Sequence, residues 1–450
     1  MIKREGKEST VARSGGRMAP PAIAAFCTVA TLLMGSAAPA QAASLDIRAK
    51  EWWLTTMHAT DQLWPVSTGK GITVAVIDSG VSASHPDLVG QVLAGQNFSG
   101  LPGGATTDVD KDSHGTAMAS LIAGTGKGLN GQGMYGLAPG VKILPMRIVG
   151  QGANEAAYSA NYSPQLAEAI RAAADSKAQI LSLSQGQMED VANVRSAVEY
   201  ALGKGKLVVA AVGNNAKIGN AVNYPAGYPG VAAVGSSNQQ GGVASYSEYG
   251  SEVDFTAPGD NMYNACVGST DYCYSSGTSD ATAIFSASAA LLWSAHPSWT
   301  ANQVLRVLKN TASQGSTPGA QDPHFGYGII RPRIALTSPG DPGPANVNPL
   351  TSQATDSSSA TPSASAAAPV ASGTPAVSTP ASAAPQVAAK KSSSSTGLFI
   401  GIGACIVVVL GAVAAFIVTR RRKNKRPGPP PPPPSAPSNP YGHIPDPYRQ

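Results

Sequence analysis

Ile72-Thr73-Val74-Ala75-Val76-Ile77-Asp78 is a run of apolar and β-branched residues closed by a carboxylate, with Ser79 and Gly80 after it. A strand with one wet face alternates polar and apolar side chains. This one does not, so both of its faces are expected to be covered. Leu207-Val208-Val209-Ala210-Ala211-Val212 repeats the pattern and runs into Gly213 and Asn214; residues 180–183 and 231–234 read the same way. Between these runs, residues 166–174 and 194–202 carry apolar side chains at helical spacing. Such alternation predicts an α/β fold, a parallel sheet with helices on both faces. In these sheets functional groups collect beyond the carboxyl ends of the strands, where Asp78 and Asn214 stand.

Outward from this unit, expected over residues 43–337 with an N-terminal extension at 43–71, the composition changes character. Residues 1–42 combine five basic side chains in the first 17 positions, an apolar run from Ala19 to about Leu33 and Ala40-Gln41-Ala42, the pattern of a cleavable signal peptide. Residues 338–396 are dominated by Pro, Ala, Ser and Thr and read as a disordered linker. The uncharged stretch 398–418, within a segment bounded at 397–419, is long enough to cross a bilayer as a helix. Arg420, Arg421, Arg422, Lys423, Lys425 and Arg426 follow it, opening a basic, Pro-rich tail at 420–450. The positive-inside rule then predicts a single-pass type I protein of the cell membrane, with everything before residue 397 outside the cytoplasm. The formal charge of +5 arises at the two ends and not on the globular part, which excludes a nucleic-acid-binding reading. Cys266 and Cys273 stand seven residues apart in a polar segment. Outside the cytoplasm a disulfide between them is the default, worth roughly 2 kcal/mol in the entropic account, with two free thiols as the alternative.

Acyl transfer to water at neutral pH needs a nucleophile, a base to deprotonate it, an orienting carboxylate and donors for the oxyanion. Each has a candidate. Asp78 ends a strand; His114 opens the small-residue run His114-Gly115-Thr116-Ala117-Met118-Ala119; Ser279 stands in Ser275-Ser276-Gly277-Thr278-Ser279-Asp280, where a helix is expected to begin after a turn at Gly277. A serine at a helix N-terminus has the helix dipole and its own N–H to stabilise a developing anion. Asn214 adds a side-chain donor. Asp108, Asp110 and Asp112 alternate before His114, but without the spaced glutamate and glycine of an EF-hand they read as a solvated acidic loop, and no metal or other cofactor is expected.

The order Asp78, His114, Ser279 and the strings around them resemble the subtilisin (subtilase) family, as do Gly136-Leu137-Ala138-Pro139-Gly140-Val141, Asn223-Tyr224-Pro225-Ala226 and Phe255-Thr256-Ala257-Pro258-Gly259. The resemblance implies a serine endopeptidase acting on proteins or peptides. In it Asp78 orients the base, His114 is general base and acid, Ser279 attacks and Asn214 fills the oxyanion hole. Gly150 and Gly152, with Ser184, Gln185 and Gly186, match the family's segments that pair with substrate backbone. The order of signal peptide, protease unit, linker, membrane helix and basic tail further resembles the mycosins, subtilases associated with type VII secretion. That implies a membrane secretion complex as partner.

Two positions depart from the family's pattern. Ala283 stands where proline is usual, and Asp280 stands beside the nucleophile where an apolar residue is common. Asp280 suits the first turn of a helix, which is the favoured reading; the alternatives are that it raises the His114 pKa or repels acidic substrates. About 30 residues between Ala42 and Ile72 leave no room for a folded inhibitory propeptide, so residues 44–70 are expected to brace the domain without a zymogen step. Two other functions compete with proteolysis: a structural brace of a secretion complex with dispensable catalysis, and an inactive subtilase kept for binding.

Overall fold

The computed structural model describes residues 47–351, apart from 109, 111–112, 151–154, 269 and 314–319, with the backbone alone at 155–160. Nine strands and eight α-helices are described, besides a short 3-10 helix at Arg48–Lys50 and a π-helical turn at Ala59–Leu63: α1 (Trp52–Thr56), β1 (Thr73–Asp78), β2 (Gln96–Asn97), α2 (His114–Ala123), α3 (Gly128–Gly131), β3 (Lys142–Arg147), α4 (Glu155–Asp175), β4 (Ile180–Leu183), α5 (Ala192–Gly203), β5 (Leu207–Ala211), β6 (Ala232–Ser237), β7 (Phe255–Pro258), β8 (Met262–Ala265), β9 (Tyr272–Ser275), α6 (Thr278–Ala295), α7 (Ala301–Thr311) and α8 (Pro332–Thr337).

Seven strands form one sheet in the order β2-β3-β1-β4-β5-β6-β7, and every pair in it is parallel. The apolar run at 72–77 lies near its middle, between β3 and β4, and its side chains divide between two cores. Val74 and Val76 point into the core shared with α2 and α6, while Ala75 and Ile77 point into the one shared with α4 and α5. A strand buried on both faces needs no polar alternation, which explains the sequence. Because β1, β4 and β5 are adjacent and parallel, Asp78, Ser184 and Gly213-Asn214 leave the sheet at the same end.

Helix α6 is buried from Thr278 to Trp293, and its Ala and Ser side chains let it lie close behind β4, β5 and β6. The start of α2 comes equally close to β1: a Cβ on Gly115 would collide with the carbonyl of Gly80. Glycine after the histidine is therefore a packing requirement.

Residues 47–70 lie on the domain. Trp53, Met57, Ala59 and Leu63 are buried in its larger core, and the Trp52 and Trp64 indoles donate to the carbonyls of Asn261 (3.3 Å) and Leu137 (2.9 Å). At the other end, the chain past Ser338 does not leave the surface where the linker was expected to start. Arg306 and Lys309 of α7 donate to the carbonyls of Val347 and Pro349, both at 2.9 Å, and Asn348 donates to that of Gly230 (3.1 Å). The segment is held because its carbonyls find long cationic side chains, a pairing that composition does not reveal. Cys266 and Cys273 are joined as a disulfide with Cα atoms 5.9 Å apart, tying the chain just after β8 to β9. Among the described residues no helix is long and apolar enough to cross a membrane. The expected signal peptide (1–42), the remainder of the expected linker (352–396), the expected span at 397–419 and the expected tail at 420–450 lie outside the described residues.

Candidate active site

Asp78 is the last residue of β1 and is almost wholly buried. Its carboxylate straddles His114 Nδ1, with Oδ1 at 2.8 Å and Oδ2 at 3.0 Å. Oδ1 also accepts from the Ser79 N–H (2.8 Å) and from Nε2 of Gln185 (2.8 Å). Burial by itself would raise this carboxyl, but the His114 charge and these three donors hold it below the usual carboxylate range. His114 answers in the opposite sense. Burial lowers the imidazole, yet the charge and hydrogen bond of Asp78, then Asp280 and Asp110, carry it above its ordinary value.

Ser279 is the second residue of α6 and lines the same cleft, of about 310 Å³, as His114, Ser184, Gly186, Asn214 and Asp280. Its Oγ donates to the Ser184 carbonyl at 2.9 Å rather than to His114, and the Ser184 hydroxyl donates back to the Ser279 carbonyl at 3.2 Å. The end of β4 is thus latched to the start of α6. Asn214 is fixed from the other side: its Oδ1 accepts from the N–H (2.9 Å) and the hydroxyl (3.0 Å) of Thr278. With the oxygen held, Nδ2 is the amide's donor, on the side of Gly277. Gly277 itself is extended (φ −173°) and makes no tight turn; it is small because Asp280 and Asn214 crowd it.

Gly150 packs against Ser79 and Asp110, past the end of β3; Gly152 lies outside the described residues. Gln185 is buried and its side chain turns inward to Asp78, so only its backbone is available for pairing with a substrate. The acidic loop also differs from its reading. Asp108 is buried and accepts from Ser79 Oγ (3.1 Å), Thr116 N (2.9 Å), Thr116 Oγ1 (2.6 Å) and Asp110 N (3.1 Å), while Ser79 Oγ accepts from Gly115 N (3.0 Å). It clamps the loop after β1 to the first turn of α2, which fixes Asp78 relative to His114. Desolvation raises the Asp108 carboxyl despite those donors. Alternating aspartates gave no sign of this, since the acceptor role depends on Thr116 and Ser79 arriving from elsewhere.

Asp280 is buried and pushed up to about 7 by desolvation, against the opposing effects of a hydrogen bond from Ser275 and the charge of His114. Chemically the cleft offers a hydroxyl at a helix N-terminus, an imidazole held by a buried carboxylate and an amide donor beside them. That is the equipment for acyl transfer.

The sequence profile of the "Subtilase family" matches residues 69–328. Subtilisin BL of Lederbergia lenta is 37% identical over 269 residues, which cover 60% of this chain and 91% of that protein. Thermitase of Thermoactinomyces vulgaris is 37% identical over 259 residues, 57% of this chain and 87% of that one. Among solved structures, MycP1 from Mycobacterium smegmatis aligns with a TM-score of 0.56 at 27% identity, covering 65% of this chain and 86% of that chain. The MycP3 protease "from the type VII (ESX-3) secretion system" aligns at 0.54 and 29%, covering 64% and 88%. The chain belongs to the subtilase family and is a serine endopeptidase of subtilisin-like α/β fold.

Proposed function

We propose that the enzyme hydrolyses peptide bonds through an acyl-enzyme on Ser279, with His114 as general base and acid and Asp78 as its orienting carboxylate. The observation that carries this is the Asp78 carboxylate gripping His114 Nδ1 with both oxygens. Nδ1 then carries the proton, and Nε2 is left with a lone pair for the Ser279 hydroxyl. Rotation of Ser279 about its Cα–Cβ bond exchanges the Ser184 carbonyl for His114. A substrate strand lying along residues 184–186 would favour that exchange by competing for the same carbonyl. Oγ then attacks the scissile carbonyl as its proton passes to Nε2. The oxyanion is met by the Ser279 N–H and Asn214 Nδ2, and the proton is delivered to the leaving amine. Water repeats the sequence against the ester and regenerates the serine.

The protease unit is proposed to stand outside the cytoplasm on a single-pass membrane anchor, and to act on proteins handled by a type VII secretion machinery. The apolar stretch at 398–418 with its basic flank supports the anchor. The likeness to MycP1 and MycP3 supports the secretion link. A fluorophosphonate probe tests the chemistry: it should label the folded protein at Ser279, and S279A should abolish both label and proteolysis. Absence of label with the cleft accessible would overturn the catalytic assignment. Carbonate-resistant sedimentation with membranes tests the anchor, and secretion in a strain carrying S279A separates catalysis from bracing.

A further inference from the structure

The wall of the cleft beyond Asn214 contains an acid that the catalytic mechanism does not use. Glu248 is 1% exposed and lies behind Asn215 and Asn223, both of which line the cleft. Its Oε1 accepts from the Asn215 N–H at 3.2 Å, and its Oε2 accepts from Asn223 Nδ2. Gly213 makes this approach possible: it has a left-handed φ of +114°, and a Cβ there would collide with both Asn223 Nδ2 and Glu248 Oε2. No lysine, arginine or histidine pairs with Glu248 among the described residues. Its partners are neutral donors, and burial raises its carboxyl.

The arrangement gives this end of the cleft a polarity. Glu248 holds the Asn223 amide by its nitrogen, leaving Oδ1 as the acceptor, on the side of Gly186. A buried acceptor backed by a carboxylate without a counter-cation is a poor neighbour for an apolar side chain and repels an acid. A side chain that is a long donor with a positive charge satisfies both groups. Lysine and arginine meet that description, with apolar stems to pass between Gly186 and Gly213. The ionisable side chains lining the cleft itself are Asp110, Asp280 and His114; no lysine or arginine lines it.

We propose that the enzyme selects a lysine or arginine as the residue contributing the scissile carbonyl, recognised by Asn223 with Glu248 behind it. The proposal rests on Ser279 and Asn214 holding that carbonyl, which directs the preceding side chain between residues 184–186 and 213–215. It is tested with quenched peptides identical except for Lys, Arg, Leu, Phe or Glu at that position. The kcat/KM for Lys and Arg should exceed that for Leu and Phe by about 10-fold or more, with Glu poorest. E248Q should reduce the ratio of Lys to Leu to below about 3-fold, a comparison made within one enzyme and so independent of how much of it is folded. Should E248Q fail to fold, competition on the unaltered protein decides. An arginine-ended peptide aldehyde should protect Ser279 from fluorophosphonate at about one-tenth the concentration needed by a phenylalanine-ended one. Label at Ser279 together with preference for Leu or Phe would overturn the selectivity and leave the protease assignment standing. Absence of label would remove the assignment on which the selectivity depends, and the selectivity with it.

Discussion

Asn214 and Asp280 flank the nucleophile and make opposite demands on the site. Asn214 is fixed through its oxygen by Thr278, so its nitrogen meets the oxyanion without reorganising. N214A should lower kcat by about 10²–10³-fold with KM little changed, a magnitude known from subtilisin in the same family, and read by steady-state kinetics on a peptide. Asp280 is a buried carboxyl pushed up to about 7, and once ionised it favours the protonated form of His114. Since His114 must be neutral to act as base, that charge moves the acidic limb of kcat/KM to higher pH. D280N removes it, and the limb should move to lower pH by up to about one unit. An unmoved limb would show that Asp280 serves only the helix N-terminus.

At the scale of elements, the N-terminal extension is joined to the domain through a buried acid as well as through tryptophans. Glu51 precedes α1, is 2% exposed and accepts from the Tyr135 N–H. Burial pushes its carboxyl up to about 8, against the opposing effects of that donor and of Arg48. The folded value lies above the unfolded one, so the stability contributed by this group is fully present below about 4.5 and is lost as pH rises through 8. E51Q keeps an acceptor for Tyr135 without a charge. At pH 9 it should be more stable than the unaltered protein by roughly 1–3 kcal/mol, seen as a higher melting temperature, and the advantage should vanish near pH 4. Thermal melts at the two pH values measure this.

For the whole molecule, the folded unit extends beyond α8, the last described helix, into residues 338–351. Val347, Asn348, Pro349 and Leu350 lie on α7 and against the larger core, beyond the boundary that composition suggested. A chain truncated after Thr337 should lose about 2–4 kcal/mol relative to one truncated after Thr351, from hydrogen bonds worth about 1 kcal/mol each, and its melting temperature should drop. Equal stability of the two would place the boundary at Thr337.

Much of this protein was legible in one dimension because the signals are local. Ile72 to Asp78 must be a strand covered on both faces, since its apolar side chains leave no wet face, and strands of that kind alternating with helices give a parallel sheet. The strings around Asp78, His114 and Ser279 carry the family because each is a short run whose backbone shape is set by its own glycines and small residues. What lay beyond sequence reading depends on groups brought together from distant positions. Asp108 became a clamp when Thr116 and Ser79 met it, Gln185 turned to Asp78, and residues 338–351 found the cations of α7. Glu248 reached the back of the cleft because Gly213 leaves space for it. A buried polar group takes its role from its partners, and only the tertiary structure chooses those partners.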